Sequence, residues 1–289
     1  MGNFAVDQFL AWVTVGLLAA AAASASATVP DNQKPRVASL NLCADTLLLQ
    51  YADPDQIASV TWLSLDSNLS PYAQKSKSFH HNKGRAEDIL RLKVDLVLTG
   101  ASTSPTTVAM LKRLSLPTLR IEDANSIEEI SSNVRRLTRA IHQLPRGEQS
   151  LQQMTRTLNA VKNNSRQTPR AHWPYAVFMQ PNGLTVGPGS LSDELLSYAG
   201  FRNAANLHGL QTYQRFPLEG LLRSNPDLIL VPKNQQQYPA QAQQLLEHPA
   251  LSRVTHRHEI APADLICGTT RVADVTAQIA AKRNQVTNL

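Results

Sequence analysis

The residues of this sequence that stand out for their chemistry are Cys43 and Cys267, near opposite ends of the chain, and the adjacent pair His80 and His81. In an oxidising compartment the cysteines could form a disulfide or face a ligand, and otherwise they would be two buried thiols. The histidines could coordinate haem iron, cobalt or a bare metal ion, or could be solvated in a loop. No CxxC motif accompanies the cysteines, which disfavours a structural zinc site.

A second set of candidates follows from where the predicted strands end. Ligands of open α/β sheets bind at the carboxyl ends of the strands, so residues directly after strands are expected to line a ligand site. These candidates are Asn41, Cys43, Trp62, Ser102, Gln180 and Asn182, and the loop before the last helix adds Cys267. Tyr213 and Arg215 precede a predicted helix and could face the same site. Arg271, beside the last helix, could hold an anion or be an ordinary exposed arginine, and Trp62 could stack on a ligand or pack in the core.

Strands and helices that alternate along the first half of the chain must position these residues. Apolar patterns predict strands at 36–40, 57–62, 94–99 and 117–121, with helices at 44–52, 86–92 and 105–114. Residues 63–85 are polar and predict a long loop. Alternation of this kind is typical of a parallel α/β sheet.

The hydrophobic period changes in the middle of the chain. From residue 126 to residue 162 apolar residues recur at helical spacing, after a capping box formed by Ser126 and Glu129. Pro145 should interrupt this stretch, so we predict one long helix or a kinked pair. Alternation then returns, with predicted strands at 175–180 and 227–231 and helices at 192–199, 218–223, near 240–247 and 271–282.

An internal repeat relates the two halves. The segments 86–99 and 218–231 align without gaps at an offset of 132 residues. Their identical pairs are Glu87/Glu219, Leu90/Leu222, Arg91/Arg223, Asp95/Asp227, Leu96/Leu228 and Leu98/Leu230. Repeated elements on either side of a long helical segment predict two similar α/β lobes, at 28–122 and 169–289, joined by a helical backbone at 123–168. A ligand cleft is expected between the lobes.

The first 27 residues have the pattern of a targeting segment. An apolar run of about fifteen residues, Phe9–Ala23, is shorter than a membrane span and is followed by Ala25-Ser26-Ala27, which fits a cleavage site. We therefore expect a cleaved signal peptide at 1–27 and a secreted mature chain from Thr28. The start is atypical because it carries Asp7 and no Lys or Arg, and the alternative is an uncleaved anchor.

Composition and motifs narrow the function classes. Hydrophobic residues make up 42% of the chain, which predicts a packed core. The formal net charge of +6 is spread without a basic block, and aromatic residues make up only 5%, so nucleic acid is not an expected partner. We find no nucleophile elbow, no phosphate-binding loop and no H-E-x-x-H motif, and we predict that the chain is not an enzyme.

These features together resemble a known family. PRVASLN, GRAEDILRLKVDLVLTG, the long central helix and FPLEGLLRSNPDLILVP are similar to the class III periplasmic substrate-binding proteins of ABC importers, over most of residues 36–283. The resemblance implies two Rossmann-like lobes with a small hinge motion. It also implies a cargo among iron chelates (ferric siderophores), haem and corrinoids (cobalamin), with no required cofactor, and a monomer that delivers this cargo to permease subunits in the inner membrane.

The resemblance also assigns roles to the repeated glutamates. In the family one surface glutamate on each lobe docks onto basic residues of the permease, and Glu87 and Glu219 occupy those positions. They could otherwise be two solvated helix carboxylates. Two alternative functions stay open: a metal-ion or oxyanion binding protein of the same fold that uses His, Cys or Arg271, and a secreted two-lobe α/β enzyme such as a transferase.

Overall fold

A computed structural model describes residues 34–233, 248–249, 251 and 256–287. The expected signal peptide at 1–27 and most of the helix expected near 240–247 lie outside the described residues. Among the described residues, no helix combines the length and the apolar character that a membrane span requires.

The first lobe is built around a parallel sheet. Its strands are β1 (Val37–Ser39), β2 (Ile57–Thr61), β3 (His81–Asn82), β4 (Leu96–Gly100) and β5 (Thr118–Ile121), in the order β3-β2-β1-β4-β5. The accompanying helices are α1 (Leu42–Tyr51), α2 (Ala73–Ser76) and α3 (Pro105–Arg113). Strand β1 occupies the centre and is fully buried, as a strand covered on both faces should be.

Two long helices follow: α4 (Ile127–Ala140) and α5 (Leu144–Ser165). Helix α4 begins at Ser126, whose hydroxyl accepts from the Glu129 amide at 3.1 Å, while the Glu129 carboxylate accepts from the Asn125 amide. The break between the helices falls at His142, which has a positive φ of 57°. Pro145 lies in the first turn of α5, where its missing N–H costs no helical hydrogen bond. The kinked pair predicted from the sequence is therefore present.

The second lobe repeats the arrangement of the first. Its strands are β6 (Tyr175–Gln180), β7 (Leu184–Thr185), β8 (Arg202–Asn203), β9 (Gln214–Arg215), β10 (Leu228–Pro232) and β11 (Arg257–Ile260). Its helices are α6 (Leu191–Ala199), α7 (Leu218–Ser224) and α8 (Val272–Thr287). The parallel order β8-β6-β10-β11 matches β2-β1-β4-β5 of the first lobe, and β7 with β9 adds a small antiparallel extension beside β6.

The repeated aspartates make the same contact in both lobes. Asp95 accepts a hydrogen bond from the Arg36 amide at 2.8 Å, and Asp227 accepts one from the Tyr175 amide at 2.7 Å. In each lobe the aspartate amide also donates to the carbonyl of the same partner residue. Each aspartate thus joins its strand to the start of the central strand, which gives the sequence repeat a structural basis.

Three expectations about elements need correction. Residues 63–85 are not one loop, because they contain α2 and β3 and most of a 3-10 turn at Trp62–Leu65. The helix predicted at 86–92 is only a 3-10 turn, Ala86–Asp88, because the Asp88 carboxylate accepts from the Lys83 and Arg85 amides and tightens the chain. Strand β11 was not predicted, since its exposed, polar sequence RHEI lacks an apolar run.

One hydrophobic core spans both lobes. It combines residues of β1, α1, β2, α4 and α5 with Leu191 and Leu195 of α6 and with Val272 and Ala273 of α8. The carboxylate of Glu194 on α6 also accepts from the Ile127 amide at the start of α4, at 2.9 Å. The helical backbone therefore packs against both lobes rather than linking them as a free rod.

Candidate ligand-binding cleft

Cys43 and Cys267 form a disulfide that joins the two lobes. The sulfur atoms are 2.06 Å apart and the Cα atoms 5.1 Å apart. Cys43 lies in the first turn of α1, and Cys267 lies in the loop that precedes α8. Of the alternatives left open by the sequence, the structure shows the disulfide.

A polar network fixes the same loop to α1. Thr270, three residues after Cys267, accepts a hydrogen bond from the Gln50 amide nitrogen at 3.0 Å. Its hydroxyl also lies 2.9 Å from the hydroxyl of Ser150 on α5, which in turn accepts from the Tyr51 hydroxyl at 3.1 Å. The loop before α8 is thus held on α1 by one covalent bond and several hydrogen bonds.

A cavity of about 520 Å³, here called the second-lobe cavity, opens between the lobes. Its second-lobe wall is largely apolar and is formed by Phe178, Val186, Leu191, Leu230, Ile260 and Leu265. Leu47, Leu69 and Ile121 close it from the first lobe. Charged residues at its lining are Asp66, Glu122, Asp123 and Lys233. The volume is in the range of small-molecule sites.

A second cavity of about 770 Å³, here called the first-lobe cavity, lies at the carboxyl ends of β1, β2 and β4. It is lined by Asn41, Trp62, Ser102 and Glu87, with hydroxyl residues from the start of α3. Its cationic side chains are Lys83 and Arg85, and Arg85 is paired with Asp88 at 2.7 Å. This lining is more polar in character than that of the second-lobe cavity.

The disulfide lies at the boundary between the two cavities. Cys43, Asp123 and Ile266 line both of them. Ile266, next to Cys267, keeps 45% of its surface exposed, although it is a large apolar residue. We call Cys43, Ile266 and Cys267 the disulfide ridge.

Asn41 and Ser102 meet in the first-lobe cavity. The Asn41 side chain caps α1 by accepting from the amides of Cys43 and Ala44, at 2.9 and 3.2 Å. Its amide nitrogen donates to the Ser102 hydroxyl at 2.9 Å. Trp62 lies in the same cavity with 57% of its surface exposed, so it does not pack in the core.

Gln180 and Tyr213 meet in the second-lobe cavity. The Tyr213 hydroxyl donates to the Gln180 side-chain oxygen at 3.2 Å. Tyr213 is 59% exposed and has a positive φ of 59° in the loop before β9. The pair therefore joins the end of β6 to this loop.

Four predicted site residues, Asn182, Arg215, Cys267 and Arg271, line neither cavity. Cys267 is buried in the disulfide. Asn182 occupies a turn with a φ of 61°, and Arg215 is an exposed residue of β9. Arg271 donates to the Asp264 carboxylate at 2.7 Å, and this hydrogen bond raises the pKa of the guanidinium. Because its charge is already paired and it lines neither cavity, Arg271 is not in a position to bind an anionic ligand in the cleft.

The two adjacent histidines, His80 and His81, have different surroundings. His80 is exposed, whereas the Nε2 of His81 lies 3.1 Å from both the hydroxyl and the carbonyl oxygen of Ser76. Neither lines the two cavities of the cleft. Within the described residues, no group of three or more His, Cys, Asp or Glu side chains is arranged to hold a metal ion.

Glu87 and Glu219 occupy equivalent exposed places. Glu87 lies in the 3-10 turn before β4, and Glu219 lies in the first turn of α7 before β10. Glu87 also lines the first-lobe cavity, whereas Glu219 lines neither cavity.

Asp45 is a buried carboxyl group beneath the cleft that the sequence did not single out. Both its oxygens accept from the Thr61 amide at 3.1 Å, directly before Trp62. Burial raises the pKa of Asp45 to about 7, and hydrogen bonds from Ser39 and Thr61 oppose that rise only in part. Asp45 therefore ties α1 to the end of β2.

The sequence also missed most of the second-lobe cavity. Phe178, Leu230 and Ile260 belong to strands and have the pattern of ordinary core residues, so no local signal marks them. A usable signal existed for Glu122 and Asp123, because they directly follow the predicted strand at 117–121.

The fold and the cleft define a two-lobed ligand-binding protein. The chain matches the family of periplasmic binding proteins over residues 37–255, well over half of its length, and it therefore belongs to that family. This finding confirms the resemblance noted in the sequence. A search of curated protein sequences returns no match.

Solved structures share the fold at low sequence identity. The periplasmic haem-binding protein RhuT from Roseiflexus sp. RS-1 in apo form has a TM-score of 0.71 at 18% identity, over 88% of this chain and 99% of that chain. A periplasmic haem-binding protein from Pseudomonas aeruginosa has a TM-score of 0.69 at 18% identity, over 86% and 92%. The periplasmic vitamin B12 binding protein BtuF of Vibrio cholerae has 0.65 at 18%, over 89% and 99%.

Proposed function

We propose that the chain is the solute-binding component of an ABC importer, which captures an iron chelate, haem or a corrinoid in the cleft and delivers it to a membrane permease. The observation that carries this proposal is the cleft itself, whose two cavities open at the carboxyl ends of two parallel sheets in a periplasmic binding protein. The titles of the similar structures name haem and vitamin B12 as ligands of those proteins.

The way in which the lobes are joined supports capture with little closure. One core runs through both lobes, and the Cys43–Cys267 disulfide joins them at the boundary between the two cavities. Packed interiors resist continuous deformation, so a hinge would have to act around this fixed contact. We expect one cargo molecule per chain and a small change of shape on binding.

The periplasm is the compartment that fits this protein. A disulfide between distant cysteines persists in an oxidising compartment. The apolar run at Phe9–Ala23 with its Ala25-Ser26-Ala27 site supplies the expected export signal.

The permease would be recognised through both lobes. Glu87 and Glu219 present carboxylates at equivalent points of the repeat, and both are exposed. Paired charges at a rim orient a docking partner more than they add affinity. We propose that these carboxylates meet basic residues of the permease.

A fluorescence titration of the chain beginning at Thr28 tests the proposal. The panel is haem, cobalamins, ferric hydroxamate and catecholate chelates, and free metal ions. Saturable one-to-one binding of one organic class at about micromolar affinity or tighter is expected. Stoichiometric free metal without an organic ligand would favour the metal-binding alternative, and turnover of a substrate would favour an enzyme. Absence of binding across the panel would overturn the proposed cargo classes.

A further inference from the structure

The second-lobe cavity has a largely apolar wall that neighbouring strands build. Phe178, Leu230 and Ile260 come from three neighbouring strands, β6, β10 and β11, and face it together with Val186 and Leu265. An apolar wall offers water few hydrogen-bond partners. A space of about 520 Å³ with such walls is therefore suited to an apolar occupant.

Some polar groups in this lining already have protein partners. Gln180 accepts from Tyr213, and the Thr212 hydroxyl donates to the Pro188 carbonyl at 3.1 Å. Asn133 donates to the Glu122 carbonyl at 2.7 Å. The strand wall of this cavity therefore offers a ligand mainly apolar contact, while Asp66, Glu122, Asp123 and Lys233 place charges elsewhere on the lining.

The first-lobe cavity offers the complementary chemistry. Ser102, Ser104 and Thr106 bring hydroxyl groups to its lining, and the exposed ring of Trp62 covers part of it. The ammonium of Lys83, also in the lining, has no hydrogen-bond or ion-pair partner within the described ranges. Polar atoms of a ligand can therefore be satisfied here by hydroxyl groups and by the Lys83 ammonium, whereas the strand wall of the second-lobe cavity offers mainly apolar contact.

We propose that the cargo is amphipathic: its apolar part enters the second-lobe cavity, its polar part lies in the first-lobe cavity, and the disulfide ridge stands between them. This inference rests on the proposed import function and narrows its cargo. It favours chelates or tetrapyrroles that carry an apolar portion and disfavours compact hydrophilic complexes such as ferric citrate. Burial of an apolar portion contributes affinity in proportion to the apolar area removed from water.

N-phenyl-1-naphthylamine, a neutral aromatic amine that fluoresces in apolar surroundings, is the direct probe. We expect it to bind the chain from Thr28 with one-to-one stoichiometry. Whichever cargo the titration panel identifies should displace it, and ferric citrate should not. Displacement links the probe's cavity to the cargo's site.

Substitutions on α6 locate the probe. Ser192 is half-buried and lines the second-lobe cavity, so Ser192→Trp should fill the space and weaken probe binding by at least about tenfold. Ser192→Leu, a smaller filling, should have an intermediate effect. Ser197→Trp is the matched control, because Ser197 is half-buried on the same helix but lines neither cavity. Circular dichroism shows that each variant is folded.

The outcomes separate this inference from the proposed function. A cargo that binds while the probe does not, or that binds without displacing the probe, overturns the amphipathic assignment and leaves import standing. Equal probe affinity in Ser192→Trp and Ser197→Trp also overturns it. If the probe binds the wild type and Ser192→Trp abolishes that binding, an apolar subsite is supported even when no cargo of the panel binds. The failure of the whole panel to bind would then count only against the proposed cargo classes.

Discussion

Asp45 lies completely buried on α1, where it fixes the backbone of Thr61 at the edge of the cleft. Burial of a carboxyl group disfavours its charged form, so the folded protein keeps the proton to about pH 7, whereas the ordinary value is 3.8. Between these values the folded state holds a proton that the unfolded chain has lost. The contribution of this group to the free energy of unfolding therefore falls as pH rises through that window and is level above it.

Replacing Asp45 by asparagine should remove this pH dependence, because the amide keeps an acceptor for Thr61 and does not titrate. We expect the free energy of unfolding of the wild type, relative to Asp45→Asn, to fall by a few kcal/mol between about pH 4 and 7. Urea unfolding of both proteins at a series of pH values measures it. Parallel curves for the two proteins would contradict the assignment.

Asp53 provides an internal contrast at lower pH. Its hydrogen bonds from Lys34 and then Arg146 hold the pKa at about 2. A lowered carboxylate pKa contributes stability above pH 4 that is lost as pH falls through the folded value. The two aspartates thus change the free energy of unfolding in separate pH ranges and with opposite signs. Asp45→Asn should therefore leave the loss of stability below about pH 4 unchanged.

Individual site residues were predictable only where a strand end or a rare residue type marked them. Asn41, Trp62 and Ser102 follow strands and do line the first-lobe cavity. Arg271 was predicted from its place beside the last helix, but its charge is paired with Asp264, seven residues earlier. Pairing of this kind depends on the folded path of a loop, which sequence spacing does not specify.

At the scale of elements, the repeated aspartates are the contact that makes the lobes alike. Asp95 binds the amide of Arg36, directly before β1, and Asp227 binds the first amide of β6, that of Tyr175. Both side chains are exposed, so each hydrogen bond is expected to contribute modestly to stability.

Removing either acceptor should have the same effect in both lobes. Asp95→Ala and Asp227→Ala should each lower the free energy of unfolding by about 1 kcal/mol, since a strand amide loses its partner. Asp95→Asn and Asp227→Asn keep an oxygen acceptor and serve as controls with smaller losses. Urea denaturation of the four variants measures this, and equal losses for alanine and asparagine would show that the hydrogen bond is not the cause.

The elements themselves were predictable where an apolar pattern was long. Strand β6 and the kinked pair α4 and α5 follow directly from their periodicity. Strands β7, β8 and β9 have only two residues each, too few for any period to show. Strand β11 pairs with β10 although its outward residues are polar. Its strand conformation therefore depends on hydrogen bonding to β10 rather than on a local apolar pattern.

At the scale of the whole molecule, the disulfide closes most of the chain into one loop. The cysteines are 224 residues apart in sequence, and the chain-entropy model gives about 5 kcal/mol for a loop of that length. The polar network around Thr270 holds the same contact without the covalent bond. We therefore expect the lobes to remain docked when the disulfide is absent, but with lower stability.

The double variant Cys43→Ser with Cys267→Ser tests that expectation. Its free energy of unfolding should be several kcal/mol lower than that of the oxidised wild type, because the unfolded chain is no longer constrained. A reducing agent should lower the stability of the wild type to a similar level and leave the variant unchanged. Equal stability of all samples would mean that the bridge does not constrain the chain in solution.

Docking to a permease requires both lobes to present their charges together, so it is a property of the whole molecule. Glu219→Lys gives the cleaner test, because Glu219 lines neither cavity. Uptake of the cargo by cells that depend on the importer should fall while cargo affinity is unchanged. Adding Glu87→Lys should reduce uptake further, since it also reverses the charge of the docking carboxylate on the first lobe.

The matched control is Glu128→Lys with Glu259→Lys, which makes the same change in net charge at two other exposed positions. Uptake is compared at saturating cargo, so that any effect of Glu87 on the first-lobe cavity does not enter. Rim charges act mainly on encounter, and the loss should therefore be larger at low ionic strength, where screening is weak. Uptake that falls equally in the control pair would mean that net charge, rather than these two carboxylates, governs docking.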